Sequence, residues 1–345
     1  MPKLPIAKSS VKLPTLSPLQ IGVVSGVGLA VLLWLCFGMI STLNGTKTLH
    51  ALEENLAAEM VEFPLSDEEF EALAATPSKH EASALLPAPI DGLYEEGRLG
   101  KMPIISANHL TPFDGYKKTF ARDKDKTPIA LVVKDYGMNT ALSQRALTLL
   151  PPVFSVMISP YAPDAQGHLD AARAAGHEVW LHIPSENEDY PSDDPGPKGL
   201  LSQSGLQYNR DNLEWALSRM HGYTGVAAHI DHAFDHAHTM LSGLLQGTFA
   251  RGLGYFEMNT RSDGFSEKKA LASGAAFEKN MSSQYRTLPA PRDVVQDLTL
   301  KAEQLGGAAA VITLTPAFLD QAEALIAEAE GQGFEFTPLS VLADE

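Results

Sequence analysis

Two kinds of apolar pattern divide the chain. Residues 21–40 read IGVVSGVGLAVLLWLCFGMI without a charge, about the twenty a helix needs to cross a hydrocarbon core. From Thr127 onward, apolar residues come instead in short runs separated by amphipathic stretches of helix length. Residues 128–133 (PIALVV) predict a buried strand, and 139–150 predict a helix opened by Asn139 as cap. Strands follow at 153–158 and 178–183, flanking a helix at 164–175 that Gly176 closes. Beyond a Pro-rich loop come helix 209–220, strand 225–229, a helix running through Leu245 and strand 254–258. Helix 291–305, strand 308–314, helix 316–332 and a short strand at 334–337 complete the series.

Strands alternating with helices imply right-handed crossovers and a parallel sheet. About seven such units, in a stretch of this length, suit one α/β barrel. No Gly-rich phosphate loop follows the first strand, where the chain reads KDYG at Lys134, Asp135, Tyr136 and Gly137, so a distorted (β/α) barrel is preferred to an open doubly wound sheet. The expected organisation is a tail at 1–20, a transmembrane anchor at 21–42, an acidic and Pro/Gly-rich irregular linker and lead-in at 43–126, and the barrel at 127–345. Acids are dense between Glu53 and Glu71, with a short amphipathic helix possible at 66–75. Residues 76–126, with Pro77, Pro87, Pro89, Gly92, Gly97 and Gly100, read as extended.

Lys3, Lys8 and Lys12 precede the apolar run with no acid among them, whereas Glu53, Glu54 and Glu59 soon follow it. That bias predicts a single-pass protein of the cytoplasmic membrane with its N-terminus inside and its domain in the periplasm. A cleaved signal peptide would have a shorter apolar region and a small-x-small cleavage site, which CFGMISTLNG lacks. Cys36 is the one cysteine and lies inside the run, so the domain has no disulfide. The formal charge of -16 and the lack of a basic stripe exclude wholesale nucleic-acid binding.

In parallel α/β folds, functional groups lie just past the C-terminal ends of strands. That rule selects Asp135, then His182 and Glu186, then His229, Asp231 and His232. A carboxylate and two imidazoles from separate strand ends are a ligand set for a divalent metal, zinc first, with a position left open for water. The spacing of His229, His232 and His236 also fits one exposed helix face, and any of these histidines alone reads as an ordinary packed imidazole. Trp180 reads as strand core, while Tyr161 and Tyr190 are candidates to stack on a ring-shaped ligand. Asp189, Asp193 and Asp194, set among prolines, read as turn formers.

From residue 128 to 342 the chain resembles the divergent polysaccharide deacetylase family of bacteria. The resemblance is carried by LVVKDYG, by SPYAPDA at 159–165 and by GHEVWLHIPSENEDYPSDDPGPKGL at 176–200. It implies a distorted β/α barrel, a divalent metal and an envelope glycan as ligand. Members of the family usually carry two adjacent acids after the first strand, the first as general base and the second as metal ligand. Here the pair is Lys134 and Asp135, and a protonated amine cannot accept a proton from metal-bound water. Where the family tends to read Asn-His-Met-Gly-Ser, this chain has Ala228, His229, Ile230, Asp231 and His232. Asn259 and Thr260 stand in place of an Asp-Ser pair, and Leu314, Thr315 and Pro316 in place of a Gly-His-Pro. Two readings follow. The first is a catalytically degenerate protein that acts as a glycan-binding or scaffolding module. The second is a metal-dependent deacetylase in which Asp135, His182 and His229 hold the metal and Asp231 or Glu186 serves as base.

Overall fold

The computed structural model describes residues 85–345, apart from residues 188, 230–233, 235–236, 259–263, 283–289 and 345. All the described residues belong to one compact unit. The apolar run at 21–40 and the acidic stretch after it lie outside the described residues. Among those described, no helix is long and apolar enough to cross a membrane.

A short antiparallel hairpin, β1 (Tyr94–Glu96) and β2 (Lys101–Pro103), and helix α1 (Pro112–Tyr116) come first. The lead-in is therefore not uniformly extended: its Leu93, Met102, Phe113 and Tyr116 are buried against the domain. Then follow β3 (Thr127–Tyr136), α2 (Thr140–Leu149), β4 (Ser155–Ile158), α3 (Ala165–Ala174), β5 (Val179–His182), α4 (Leu206–Leu217), β6 (Gly225–Ala228) and α5 (His238–Phe249). The series ends with β7 (Gly254–Glu257), α6 (Phe265–Ser273), β8 (Phe277–Lys279), α7 (Pro291–Leu305), β9 (Ala308–Thr313), α8 (Pro316–Gly331), β10 (Phe334–Phe336) and α9 (Leu339–Ala343). Local chemistry sets these bounds. Asn139 caps α2 by accepting a hydrogen bond from the Leu142 N–H at 2.9 Å, and α7 starts with Pro291 and stops at Gly306, whose φ is +84°.

The sheet is parallel throughout and curled into a (β/α)-barrel-like form. Neighbours run β3-β4-β5-β6-β7-β8, with β9 on the other edge of β3 and β10 beside the first residues of β3. Among the described residues, a bridge from Asn280 to Ala309 links the β8 end back to β9.

Side chains alternate across each strand. Those facing inward form one buried cluster that includes Ala130, Val132, Met157, Trp180, Phe256 and Val311. Those facing outward, such as Leu131, Val156, Leu181 and Val226, join the helices in a larger cluster. Trp180 is fully buried, which agrees with its reading as core. It explains two glycines: a Cβ at Gly225 would sit 2.3 Å from its ring, and one at Gly254 2.9 Å from it.

Helix α9 and Phe113 of α1 close the N-terminal end of the barrel. A buried acid organises this floor. Glu178 accepts through Oε1 from the Trp180 indole at 2.7 Å, the Ser340 N–H at 3.1 Å and the Ser155 hydroxyl at 3.2 Å. Its Oε2 accepts from the Lys118 N–H at 3.1 Å. With four donors arranged around it, the carboxylate recovers the hydration it lost.

Candidate functional site at the barrel mouth

Continuing the inward alternation towards the C-terminal ends of the strands brings up Lys134 above Val132 and His182 above Trp180, with His229 above Ala227. The middle of the barrel is apolar, but this top layer is polar. The geometry agrees: the His182 and His229 rings meet edge to face with centroids 6.3 Å apart. Lys134 lies beside Thr313 across the β3–β9 pairing.

Asp135 joins them by breaking the alternation. Its φ is +66°, and the β3–β4 register shifts between Val133 and Tyr136. A left-handed backbone is unfavourable for a side-chain-bearing residue, by roughly 1–3 kcal/mol. Two consecutive residues, Lys134 and Asp135, thereby lie together at the rim, with Lys134 Nζ 3.8 Å from Asp135 Oδ2. Burial raises the Asp135 carboxyl above its ordinary range, the Lys134 charge opposes that rise, and Asp193 reinforces it. Asp193, on the β5–α4 loop, is near enough for its charge to act on Asp135.

His182 is the most perturbed group of the mouth. Burial, followed by the Lys134 charge, pushes its pKa down to about 3, so the ring is neutral near pH 7. Its Nε2 is buried and has no hydrogen-bond partner among the described residues. Leaving such an atom unpaired costs about 1–3 kcal/mol. His229 is buried, and its backbone N–H donates to the Ser185 hydroxyl at 3.0 Å.

Glu186 is held away from this group. Its carboxylate accepts from the Ser202 N–H at 2.8 Å and from the Ser202 hydroxyl at 3.0 Å, while its own N–H donates to the Leu200 carbonyl at 2.8 Å. It fastens the two ends of the β5–α4 loop. Asp231, His232, His236, Asn259 and Thr260 lie outside the described residues. Among the described residues, no group of three or more His, Cys, Asp or Glu side chains is disposed to hold a metal ion. The described part of the site does not fit a divalent cation, because an ammonium stands in the layer the cation would share. Two unit charges 4 Å apart interact by about 4 kcal/mol near a protein surface.

The loop over the mouth is built from short polar turns. Asp194 accepts from the Gly196 N–H at 2.8 Å and Asp193 accepts from the Asn187 amide, as turn formers do. Tyr161 packs on Trp215 with centroids 5.2 Å apart, and its hydroxyl accepts from the Lys198 N–H at 2.8 Å. Gly196, at φ +86°, lies against that hydroxyl, where an added Cβ would be 3.0 Å away. Tyr190 is exposed on the same loop. Sequence reasoning missed the pairing of Glu186 with Ser202 and the approach of Asp193 to Asp135, since both depend on the path of an irregular loop.

Barrel-like topology with a polar layer at the C-terminal ends of the strands defines the class: an α/β domain of the kind that places its ligand site in the barrel mouth. Residues 131–343 match the family described as divergent polysaccharide deacetylase, which is more than half of the chain. The chain belongs to that family. Among solved structures, the uncharacterized protein ATU2773 from Agrobacterium tumefaciens C58 aligns at 26% identity and a TM-score of 0.64, covering 71% of this chain and 100% of that one. Two mutants of BA3943, a CE4 family pseudoenzyme, one with restored enzymatic activity, align at 13% and 12% identity. Their TM-score is 0.38 with 70% of this chain and 75% of theirs covered, too distant to carry an argument. No curated protein matches.

Proposed function

We propose that this chain is an envelope-facing member of its family whose barrel mouth holds a glycan without hydrolysing it, serving as a binding or scaffolding module. The observation that carries this reading is Lys134, whose ammonium lies 3.8 Å from the Asp135 carboxylate in the top layer of the barrel. Metal-assisted hydrolysis needs a group that takes a proton from the attacking water, and this residue offers no lone pair while protonated. Positioned acid–base chemistry is worth about 10²–10⁴ in rate. Glu186, already bonded to Ser202, is poorly placed to supply it. The residues that remain suit binding: a neutral imidazole, a carboxylate beside an ammonium, and exposed aromatic and polar groups on the overlying loop.

A second reading, a metal-dependent deacetylase, is favoured by one observation, the buried Nε2 of His182 at the mouth, which has no partner among the described residues. Zinc would supply water activation there, with Asp135, His182 and His229 as its holders and Asp231 as the base. The envelope location rests on the uncharged run at 21–40 and the lysines before it.

Full-length chain, purified in detergent, separates the two readings. It should be retained on peptidoglycan or acetylated chito-oligosaccharide beads and release no acetate above background. Acetate release at an ordinary enzymatic rate, abolished by Asp135→Ala or His229→Ala, overturns the binding-module reading. In the same cells, protease added to spheroplasts should digest the domain, and its protection would remove the envelope location.

A further inference from the structure

Lys134 and Asp135 form an open pair. Their charged atoms stand 3.8 Å apart, and their side chains are 30% and 38% exposed at the rim of the mouth. That separation attracts the two charges but is too long for a hydrogen bond between them. Neither the ammonium nor the carboxylate has a hydrogen-bond partner among the described residues. Asp193, the other acid whose charge reaches Asp135, accepts from the Asn187 amide. Beside the pair, His182 keeps its buried Nε2 without a partner among the described residues and lies within reach of the Lys134 charge.

Opposite charges held this close select against a charged ligand. A carboxylate or phosphate drawn to Lys134 is repelled by Asp135, and an ammonium drawn to Asp135 is repelled by Lys134. An ammonium only donates and an ionised carboxylate only accepts, whereas a hydroxyl does both. Neighbouring hydroxyls on one sugar ring can therefore bridge the pair, one accepting from Lys134 and the other donating to Asp135, at about 2.8 Å each. The rim turn is fixed in advance for such a contact. The Met138 N–H donates to the Asp135 carbonyl at 3.2 Å, and the Gly137 N–H donates to the buried Ser143 hydroxyl at 2.9 Å. Preorganisation of this kind lowers the cost of binding.

We propose that the Lys134–Asp135 pair is the specificity element of the mouth and reads two adjacent free hydroxyls on an uncharged sugar ring, with His182 Nε2 as a further polar contact. This rests on the binding-module reading and narrows it. In an acetylated chito-oligosaccharide only the ring at the non-reducing end keeps free hydroxyls on neighbouring carbons, so the mouth takes the end of such a chain and not its middle.

The test is frontal chromatography of full-length chain in detergent on acetylated chito-oligosaccharide beads coupled through the reducing end. Half of the beads are treated with periodate, which cleaves the bond between two carbons bearing adjacent hydroxyls, and then with borohydride to remove the aldehydes formed. Wild type should bind the intact beads and lose about tenfold or more in affinity on the treated ones, the worth of a hydrogen bond to a charged group. Lys134→Met and Asp135→Asn should each lose a similar factor on intact beads. Binding by wild type should survive high salt, which screens a charged ligand but not hydroxyls. Equal binding to treated beads overturns the proposal and leaves the glycan reading standing, as does unchanged binding by both altered chains. Elution of wild type by salt overturns it in favour of a charged ligand. Absence of binding to intact beads overturns the glycan reading and this proposal together. The bead comparison uses wild type alone, so a variant that fails to fold does not blunt it.

Discussion

The floor and the mouth of this barrel are both polar, yet they treat their polar groups in opposite ways. At the floor the fully buried Glu178 meets four donors within 2.7–3.2 Å. At the mouth His182 keeps a buried nitrogen with no partner among the described residues, Lys134 and Asp135 approach only to 3.8 Å, and Asp135 holds a left-handed backbone. A satisfied network fixes a structure, whereas unsatisfied groups and strain persist where a ligand completes them. The comparison assigns Glu178 to stability and supports the proposal that the mouth takes a ligand, although Glu178 immediately precedes β5, the strand that ends in His182.

The largest effect should come from the floor. Glu178→Leu leaves the Trp180 indole, the Ser155 hydroxyl and two backbone N–H groups without their acceptor, and unsatisfied buried donors cost about 1–3 kcal/mol each. A loss of about 3 kcal/mol or more in unfolding free energy is expected from urea titration. A loss below about 1 kcal/mol would erase the distinction between floor and mouth.

A smaller effect, and one that depends on pH, belongs to His182. Its folded pKa of about 3 lies below that of an ordinary histidine, near 6.5. The unfolded chain therefore takes up the proton first, and the stability present above pH 6.5 is lost as pH falls from about 6.5 towards 3. Wild type should lose stability relative to His182→Phe between pH 6.5 and 4, seen as a widening gap in thermal midpoints. A gap that stays constant over that range would mean that the ring is solvated and the mouth no different from ordinary surface.

Much of the fold was legible because alternation and caps are local. The helix expected at 291–305 coincides with α7 since Pro291 and Gly306 bracket it. The first strand was expected to end at residue 133 but runs to Tyr136, because a bulge carries two charged residues past the point where the apolar pattern stops. Strand β8, helix α6 and the floor helix α9 were not foreseen. At three and five residues, β8 and α9 are too short for a period to show; α6 carries little amphipathic pattern, with Ser266 and Ala270 as its buried residues. At the mouth, the rule that functional groups follow the C-terminal ends of strands selected His182 and His229, and the adjacent pair Lys134 and Asp135 was visible as a departure from the family's two acids. The placement of Glu186 against Ser202 and of Asp193 near Asp135 depends on how the β5–α4 loop folds back, which no periodicity encodes.

The central claim is that Lys134 keeps the mouth from assembling a metal centre, and zinc titration of full-length chain by calorimetry, wild type beside Lys134→Asp, tests it most directly. Replacing an ammonium by a carboxylate removes a repulsion and adds an oxygen donor. The account predicts no stoichiometric zinc uptake by wild type and one zinc per chain in Lys134→Asp, lost again when His182→Ala is added. Tight one-to-one zinc binding by wild type, unchanged by Lys134→Asp, would contradict it.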